Sequence, residues 1–276
     1  MKSLFLNRLV CVALAFLAVA CNFEKDITID LPPHNSQFVV ECYLEKGKPF
    51  RMLLTESSSY FDTLAETTIK RATVVISDGR RRDTLKYNPM YDLEYSKLYN
   101  FRNLRNLLPD TQALYTLEVT DEKGRKMTGA TRFLPTPKID SIRWVFRTPS
   151  DPKDSAVSLR IWVKDVPQVE NYYRLIVNVD SLDGGSNLDI SLQDKLFDGK
   201  SFPIGTSFRF KQNDTVNFRL YNIEKGYYDF LESVEDAQRS NGNPFVQPAS
   251  AKSMVQGGFG AFTTLSSTQR TVVLTR

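Results

Sequence analysis

"ALYTLEVTDEKGRKMTGATRFLP", residues 113–135, alternates apolar and polar side chains, turns once, and alternates again. Tyr115, Leu117 and Val119 fall on one side of an extended chain, because successive side chains of a strand point to opposite faces. Asp121 to Gly124 supplies a polar turn containing glycine, and Met127 to Phe133 returns. The stretch reads as a β-hairpin with one face directed to a core.

The same period runs toward the amino terminus. "QFVVECYL" (37–44) sets Phe38, Val40, Cys42 and Leu44 on one face, and "PFRMLLTES" (49–57) does so with Phe50, Met52 and Leu54. "ATVVISDG" (72–79) places Ala72, Val74 and Ile76 inward and ends on Asp78-Gly79, a hairpin signal across which "DTLKY" (83–87) pairs. Arg80-Arg81-Arg82 follows that turn and reads as a solvated hairpin end rather than a binding patch. Between Tyr91 and Leu108 the period is lost, and Leu104, Leu107 and Leu108 suit a helical turn or an ordered loop.

Pro135-Thr136-Pro137 marks a boundary, after which alternation resumes. In "IDSIRWVF" (139–146) Ile142, Trp144 and Phe146 share a face. "AVSLRIWVKDVP" (156–167) aligns Val157, Leu159, Ile161 and Val163, with Trp162 opposite. "NYYRLIVNVDS" (171–181) and "DTVNFRLYNI" (214–223) add two strands. One segment keeps a different period: Tyr227, Phe230, Leu231 and Val234 form the stripe of an amphipathic helix at about 223–240. Asn222 is placed to cap its start, Gly242 to end it, and Arg239 to complement the dipole of the last turn. The expected fold class is mainly β. Two tandem antiparallel β-sandwich (Ig-like) modules span 37–135 and 138–276, the second carrying the helix.

Both ends of the chain carry further signals. Lys2 and Arg8 precede an uncharged apolar run from Leu9 to Ala20, shorter than the ~20 residues a membrane-spanning helix needs. With small residues before Cys21 this reads as a signal peptide over 1–20. Ala18-Val19-Ala20-Cys21 resembles a bacterial lipobox, in which the cysteine receives acyl chains and moors the protein to a membrane. A simple secreted protein cut near Ala20 is the alternative. Residues 21–36 read as a tether, stiffened by Pro32-Pro33. At the other end, "GNPFVQPASAKSMVQGGFGAF" (242–262) concentrates Gly242, Gly257, Gly258 and Gly260 with Phe245, Phe259 and Phe262. Glycines this dense permit close backbone approach, either in a kinked strand or in a ligand loop. No phosphate-loop Gly-Lys-Ser/Thr follows them.

Composition narrows the chemistry. The 276 residues hold 36 Lys+Arg and 32 Asp+Glu, without the basic excess that nucleic acid demands. Once Cys11 leaves with the signal and Cys21 takes lipid, Cys42 stands alone, so no intramolecular disulfide forms. Its place in the strand suits a small buried hydrophobe better than a nucleophile. The sole histidine, His34, lies in the tether, which removes histidine-based triads and multi-histidine metal sites. No cofactor, metal or catalytic residue is expected. Exposed aromatics offer a binding platform at Trp162, Tyr172, Tyr227 and Tyr228, each with packing as the plainer role. A carboxylate-dependent hydrolase would draw on Asp180 and Asp183, or on Asp194 and Asp198. Asp-Gly at these places more ordinarily makes turns, and the same aspartates are poor matches to a calcium loop.

Taken in order, the lipobox, "QFVVECYLEKGKPFRMLLTES", "IKRATVVISDG", "YTLEVTDEKGRKMTGATRFLPTPKIDSI", "NYYRL" and the "GNPF…P…GGFGAF" ending resemble the DUF4249 family of Bacteroidota lipoproteins. Glu41-Cys42 departs from the pattern, where a glycine is common. The family supplies no catalytic residues to carry over. Its usual neighbourhood implies an outer-membrane lipoprotein, accessory to a TonB-dependent transporter and capturing its ligand or gating it. The acidic residues behind Cys21 resemble a surface-export signal, which implies the external face; a periplasmic face stays open. A structural or adhesive surface module is the alternative of a different class.

Overall fold

In the computed structural model the alternating runs of the first half become antiparallel strands. The structure describes residues 34–59, 67–147, 156–179, 188–241, 247 and 249–276. The lipidation candidate Cys21, the signal and most of the tether, Asp180, Asp183, Gly242 and Phe245 lie outside the described residues. Phe38–Glu45 (β1), Pro49–Glu56 (β2), Ala72–Ser77 (β3), Arg82–Asp92 (β4), Lys97–Asn106 (β5), Tyr115–Asp121 (β6) and Lys126–Thr131 (β7) lie in the spatial order β1-β2-β5-β4-β3-β6-β7. Their inward side chains, among them Phe38, Val40, Cys42, Met52, Val74, Ile76, Leu117 and Val119, form one core. Each such side chain contributes roughly 1.5–3 kcal/mol by leaving water. Cys42 is fully buried, and burial pushes its thiol up to about 12 despite Arg51 nearby, as suits an inert packing residue.

The second half adds Lys138–Phe146 (β8), Val157–Lys164 (β9), Tyr172–Val179 (β10), Leu188–Gln193 (β11), Ser201–Gly205 (β12) and Thr215–Ile223 (β13). Lys225–Ser240 (α1), Val255–Gln256 (β14) and Gly258–Val273 (β15) complete it. A three-stranded sheet, β12-β9-β8, packs on β10 and β13 around a second core. Val157, Leu159, Ile161 and Val163 face Tyr173, Leu175, Val177, Phe218 and Leu220 there. The fold is thus mainly β and of sandwich type, with open sheets and one helix among the described residues. No helix described is long and apolar enough to cross a membrane.

Residues Ser36–Arg276 form a single compact unit, and β15 is the reason. Its first half, Gly258–Leu265, pairs in parallel with β1. Its second half, Ser266–Val273, pairs antiparallel with β13. One strand therefore belongs to both cores, and a twelve-stranded sheet runs from β11 to β14 through it.

The "GGFGAF" segment is what makes this junction possible. Gly260 has φ +123°, and a Cβ there would sit 2.0 Å from the carbonyl oxygen of Val40 on β1. Gly257, at φ +78°, would drive a Cβ to 2.2 Å from the Lys126 carbonyl oxygen. Phe262 fills the first core, and Phe259 lies 6.0 Å from Phe230 of α1. Of the two expectations for these glycines, the close strand approach is the one found.

Two expectations need correction. The illegible stretch 91–108 is neither helix nor loop for most of its length, but the end of β4 and all of β5. Tyr99, Asn100 and Phe101 are buried in succession on β5, and its register against β2 shifts between the Pro49 and Arg51 pairs, so the two-residue period is lost. Asn222 does not cap the helix: it lies in β13, which runs on to Ile223, and its side-chain amide donates to the Pro135 carbonyl at 3.0 Å. Glu224 occupies the cap position, with no side-chain cap bond, and its carboxylate accepts from the Thr131 hydroxyl and the Arg132 amide. β12, which is not among the strands expected from the pattern, carries Pro203, which an edge strand tolerates.

Replacing Gly260 by alanine is expected to destabilise the chain by at least about 3 kcal/mol, since a backbone oxygen cannot move aside as a flexible side chain can. Urea unfolding checks this. Gly47→Ala, at a positive-φ turn with open space around it, is expected to cost only about 1–2 kcal/mol.

Candidate functional site

The outward side chains of β1 are Glu41, Tyr43 and Glu45, set there by the same alternation that buries Val40, Cys42 and Leu44. Pairing through β15 brings them beside the outward side chains of β13 and β10. On β13 these are Arg219 and Tyr221, and on β10 they are Arg174, Ile176 and Asn178. Glu94, Tyr95 and Ser96 in the turn between β4 and β5, with Lys97 at the start of β5, rise on one side of this floor. The stripe of α1 closes the other with Tyr227, Phe230, Leu231 and Val234. Together they enclose a cleft of about 380 Å³. Its volume lies in the range of small-molecule sites, about 300–1,000 Å³.

Ion pairs organise the polar floor. Arg219 donates to Glu94 at 2.8 Å and to the Tyr95 hydroxyl at 2.8 Å. Tyr95 in turn donates to Glu45 at 2.6 Å. Arg174 grips Asp189 with two parallel bonds of 2.8 and 2.6 Å and donates to the Tyr227 hydroxyl at 2.7 Å. Lys97 pairs with Glu41 at the rim, and Lys48 with Glu94. Beneath Tyr95 and Tyr99, Arg51 pairs with Glu45 at 2.9 Å and Asp92 at 2.7 Å. Five carboxylates thus meet five cations, and the described network carries no surplus charge.

Burial acts on these groups in two directions. It alone would lower the Arg51 pKa, but Glu45, Tyr99 and Asp92 more than offset it and raise the value. Burial pushes Tyr221 up to about 12 against the pull of Arg219, and raises Tyr95 further, with Glu45 adding to the effect. The phenols are therefore neutral hydroxyls at physiological pH. Breaking a buried pair such as Arg51 with Glu45 and Asp92 would cost about 3–5 kcal/mol by stranding a charge.

Of the four expected platform aromatics, one lines the cleft. Tyr227 does so, although it is almost wholly buried and packs edge-on to Tyr43 at 5.9 Å. Tyr228, in the first turn of α1, lies against Tyr172 at the start of β10, ring centroids 4.9 Å apart. Trp162 sits on β9, opposite the second core and away from the cleft. The aromatics that sequence reasoning missed are Tyr43, Tyr95, Tyr99 and Tyr221. A signal existed in the lone arginines of "YYRLIV" and "NFRLYN", each a charge inside an otherwise apolar strand.

The acidic candidates lie elsewhere. Asp194 and Asp198 converge with Asp165, their carboxylate oxygens within 4.8 Å of one another. Each holds loop backbone or side chains: Asp165 accepts from the Tyr173 hydroxyl and the Gly199 amide, Asp194 from the Asn171 amide, and Asp198 from the Gln168 amide. These aspartates act as staples between two loops.

Burial alone would raise the Glu94 pKa, but hydrogen bonds from Lys48 and Arg219 outweigh it and hold the carboxyl below its ordinary 4.5. A group whose folded pKa is depressed gives stability that is fully present above its unfolded pKa and lost as pH falls through the folded one. Glu94→Gln is expected to lower stability by about 1 kcal/mol at neutral pH, a small figure because the pair is partly screened by water. The gap from the parent should close as pH falls below 4.5. Unfolding midpoints across that range check the sign.

No curated protein matches the chain. The family model described as "Domain of unknown function (DUF4249)" matches residues 24–271, which takes in every element of the cleft. The chain belongs to the DUF4249 family.

Proposed function

We propose that this protein is a lipoprotein of the outer membrane, held by acyl chains on Cys21 and facing the cell exterior, that captures a ligand for a TonB-dependent transporter. The observation that carries the reading is the cleft, a concave site with one apolar wall and a floor of ordered hydrogen-bonding groups. The lipobox-like Ala18-Val19-Ala20-Cys21 supports the anchor, since more than one acyl chain gives stable attachment without a spanning helix. The transporter partnership is what the family resemblance implies. Catalysis is not part of the reading, because the cleft's carboxylates are engaged in ion pairs that position the walls.

The test is mild detergent extraction of native membranes followed by affinity purification. A TonB-dependent transporter is expected to accompany the parent chain. The Cys21→Ser chain is expected in the soluble fraction, without the transporter. Recovery of the parent chain alone, under conditions that keep known transporter complexes intact, would overturn the partnership. Membrane retention of Cys21→Ser would overturn the anchor.

A further inference from the structure

We infer that the cleft takes an uncharged, hydroxyl-rich ligand, a saccharide of one or two rings. This rests on the cleft being a capture site and names the chemistry that fits it. The first argument is charge. Each carboxylate that lines the cleft, Glu41, Glu45, Glu94 and Asp189, already holds a cation at ion-pair distance (Glu45 through Arg51 beneath the floor), so a charged ligand group would have to displace a partner and strand it. A site for an anion or a cation is built the other way, with one sign left over.

The second argument is the contrast between the walls. Phe230, Leu231 and Val234 present an apolar surface from α1. Opposite them, Tyr43, Glu41 and Arg174 offer a hydroxyl, a carboxylate and a guanidinium. A pyranose has the same asymmetry: its ring C–H groups form an apolar face, and its rim carries hydroxyls that both donate and accept. Adjacent hydroxyls match the paired atoms of a carboxylate or guanidinium, and an aromatic ring receives the C–H face. A purely apolar ligand would strip water from the hydrogen-bonding valences that the paired floor groups still have and would put nothing in its place, which is costly.

The third argument is size. A cleft of about 380 Å³ sits at the low end for small-molecule sites, which suits a short saccharide and excludes burial of a long chain.

Isothermal titration of the full lipoprotein in detergent tests this, with maltose, cellobiose, xylobiose and chitobiose as neutral probes and a uronic-acid disaccharide as the charged one. At least one neutral probe is expected to bind. Its affinity should change by less than about twofold between about 50 and about 500 mM salt, since no net charge is involved. Val234→Trp, which fills the cleft from the helix side, should weaken it at least about tenfold. Should that variant lower the unfolding midpoint, the double change Glu41→Gln with Lys97→Met, which removes a half-exposed pair at the rim, is read in its place. Failure of all four neutral probes overturns the inference, as does neutral binding that Val234→Trp leaves unchanged. Binding of the uronic-acid probe alone, lost in Val234→Trp, overturns the ligand class and leaves capture standing. Transporter-dependent uptake that persists in a folded Val234→Trp strain overturns capture itself.

Discussion

Everything in this structure turns on the parallel approach of β15 to β1. Two strands at this spacing need their backbones unobstructed, and the Val40 carbonyl lies where the first side-chain carbon of any other residue at position 260 would stand. Glycine is the only residue that leaves that space empty at φ +123°. Once the pairing forms, the eight partners from Phe38–Gly258 to Glu45–Leu265 fix the register. The second half of the same strand then has no choice of neighbour and seals onto β13. The two cores are built from residues far apart in sequence, yet one strand enters both.

The cleft follows from that seam. Alternation along β1 gives one face to the first core and leaves Glu41, Tyr43 and Glu45 pointing outward. Alternation along β13 and β10 gives one face to the second core and leaves Arg219 and Arg174 outward. Neither set makes a site alone. Brought side by side through β15, acids from one core meet bases from the other: Arg219 reaches the Tyr95 hydroxyl, which reaches Glu45. These contacts are partly shielded from water, so each is worth more than a surface pair and more costly to leave half-made. The floor of the cleft is thus a mechanical tie between the two cores.

Much of the fold was legible from the period of the sequence. The β6–β7 hairpin, the inward faces of β1 and β9, and the stripe of α1 are each where alternation or a 3.6-residue period puts them. What stayed hidden has identifiable causes. On β5 the successive burial of Tyr99, Asn100 and Phe101 broke the alternation. Asn222 looked like a cap because local chemistry favours it there, but it lies within a strand that continues to Ile223, and Glu224 takes the cap position of a helix that begins at Lys225. The site was harder still. Tyr43, Arg174 and Arg219 lie on three strands, and only the long-range pairing of β15 makes them neighbours. Sequence could register an arginine as odd within "NFRLYN" without saying which acid it would meet. Exposed aromatics drew attention to Trp162, yet the rings that line the cleft are largely buried.

The central claim is that β15 welds both cores into one cooperative unit and so creates the cleft. Of the two tryptophans of the chain, Trp144 packs on the second core and Trp162 lies on the outer face of β9, so both report on the second half, whereas Cys42 lies in the first core. A chain carrying Cys11→Ser and Cys21→Ser, in which Cys42 is the one thiol left, can be titrated with urea while tryptophan fluorescence and Cys42 thiol labelling are followed together. The account predicts a single transition with coincident midpoints for both probes. Cys42 becoming reactive at a clearly different urea concentration from the fluorescence change would show two independently unfolding halves, and would contradict it.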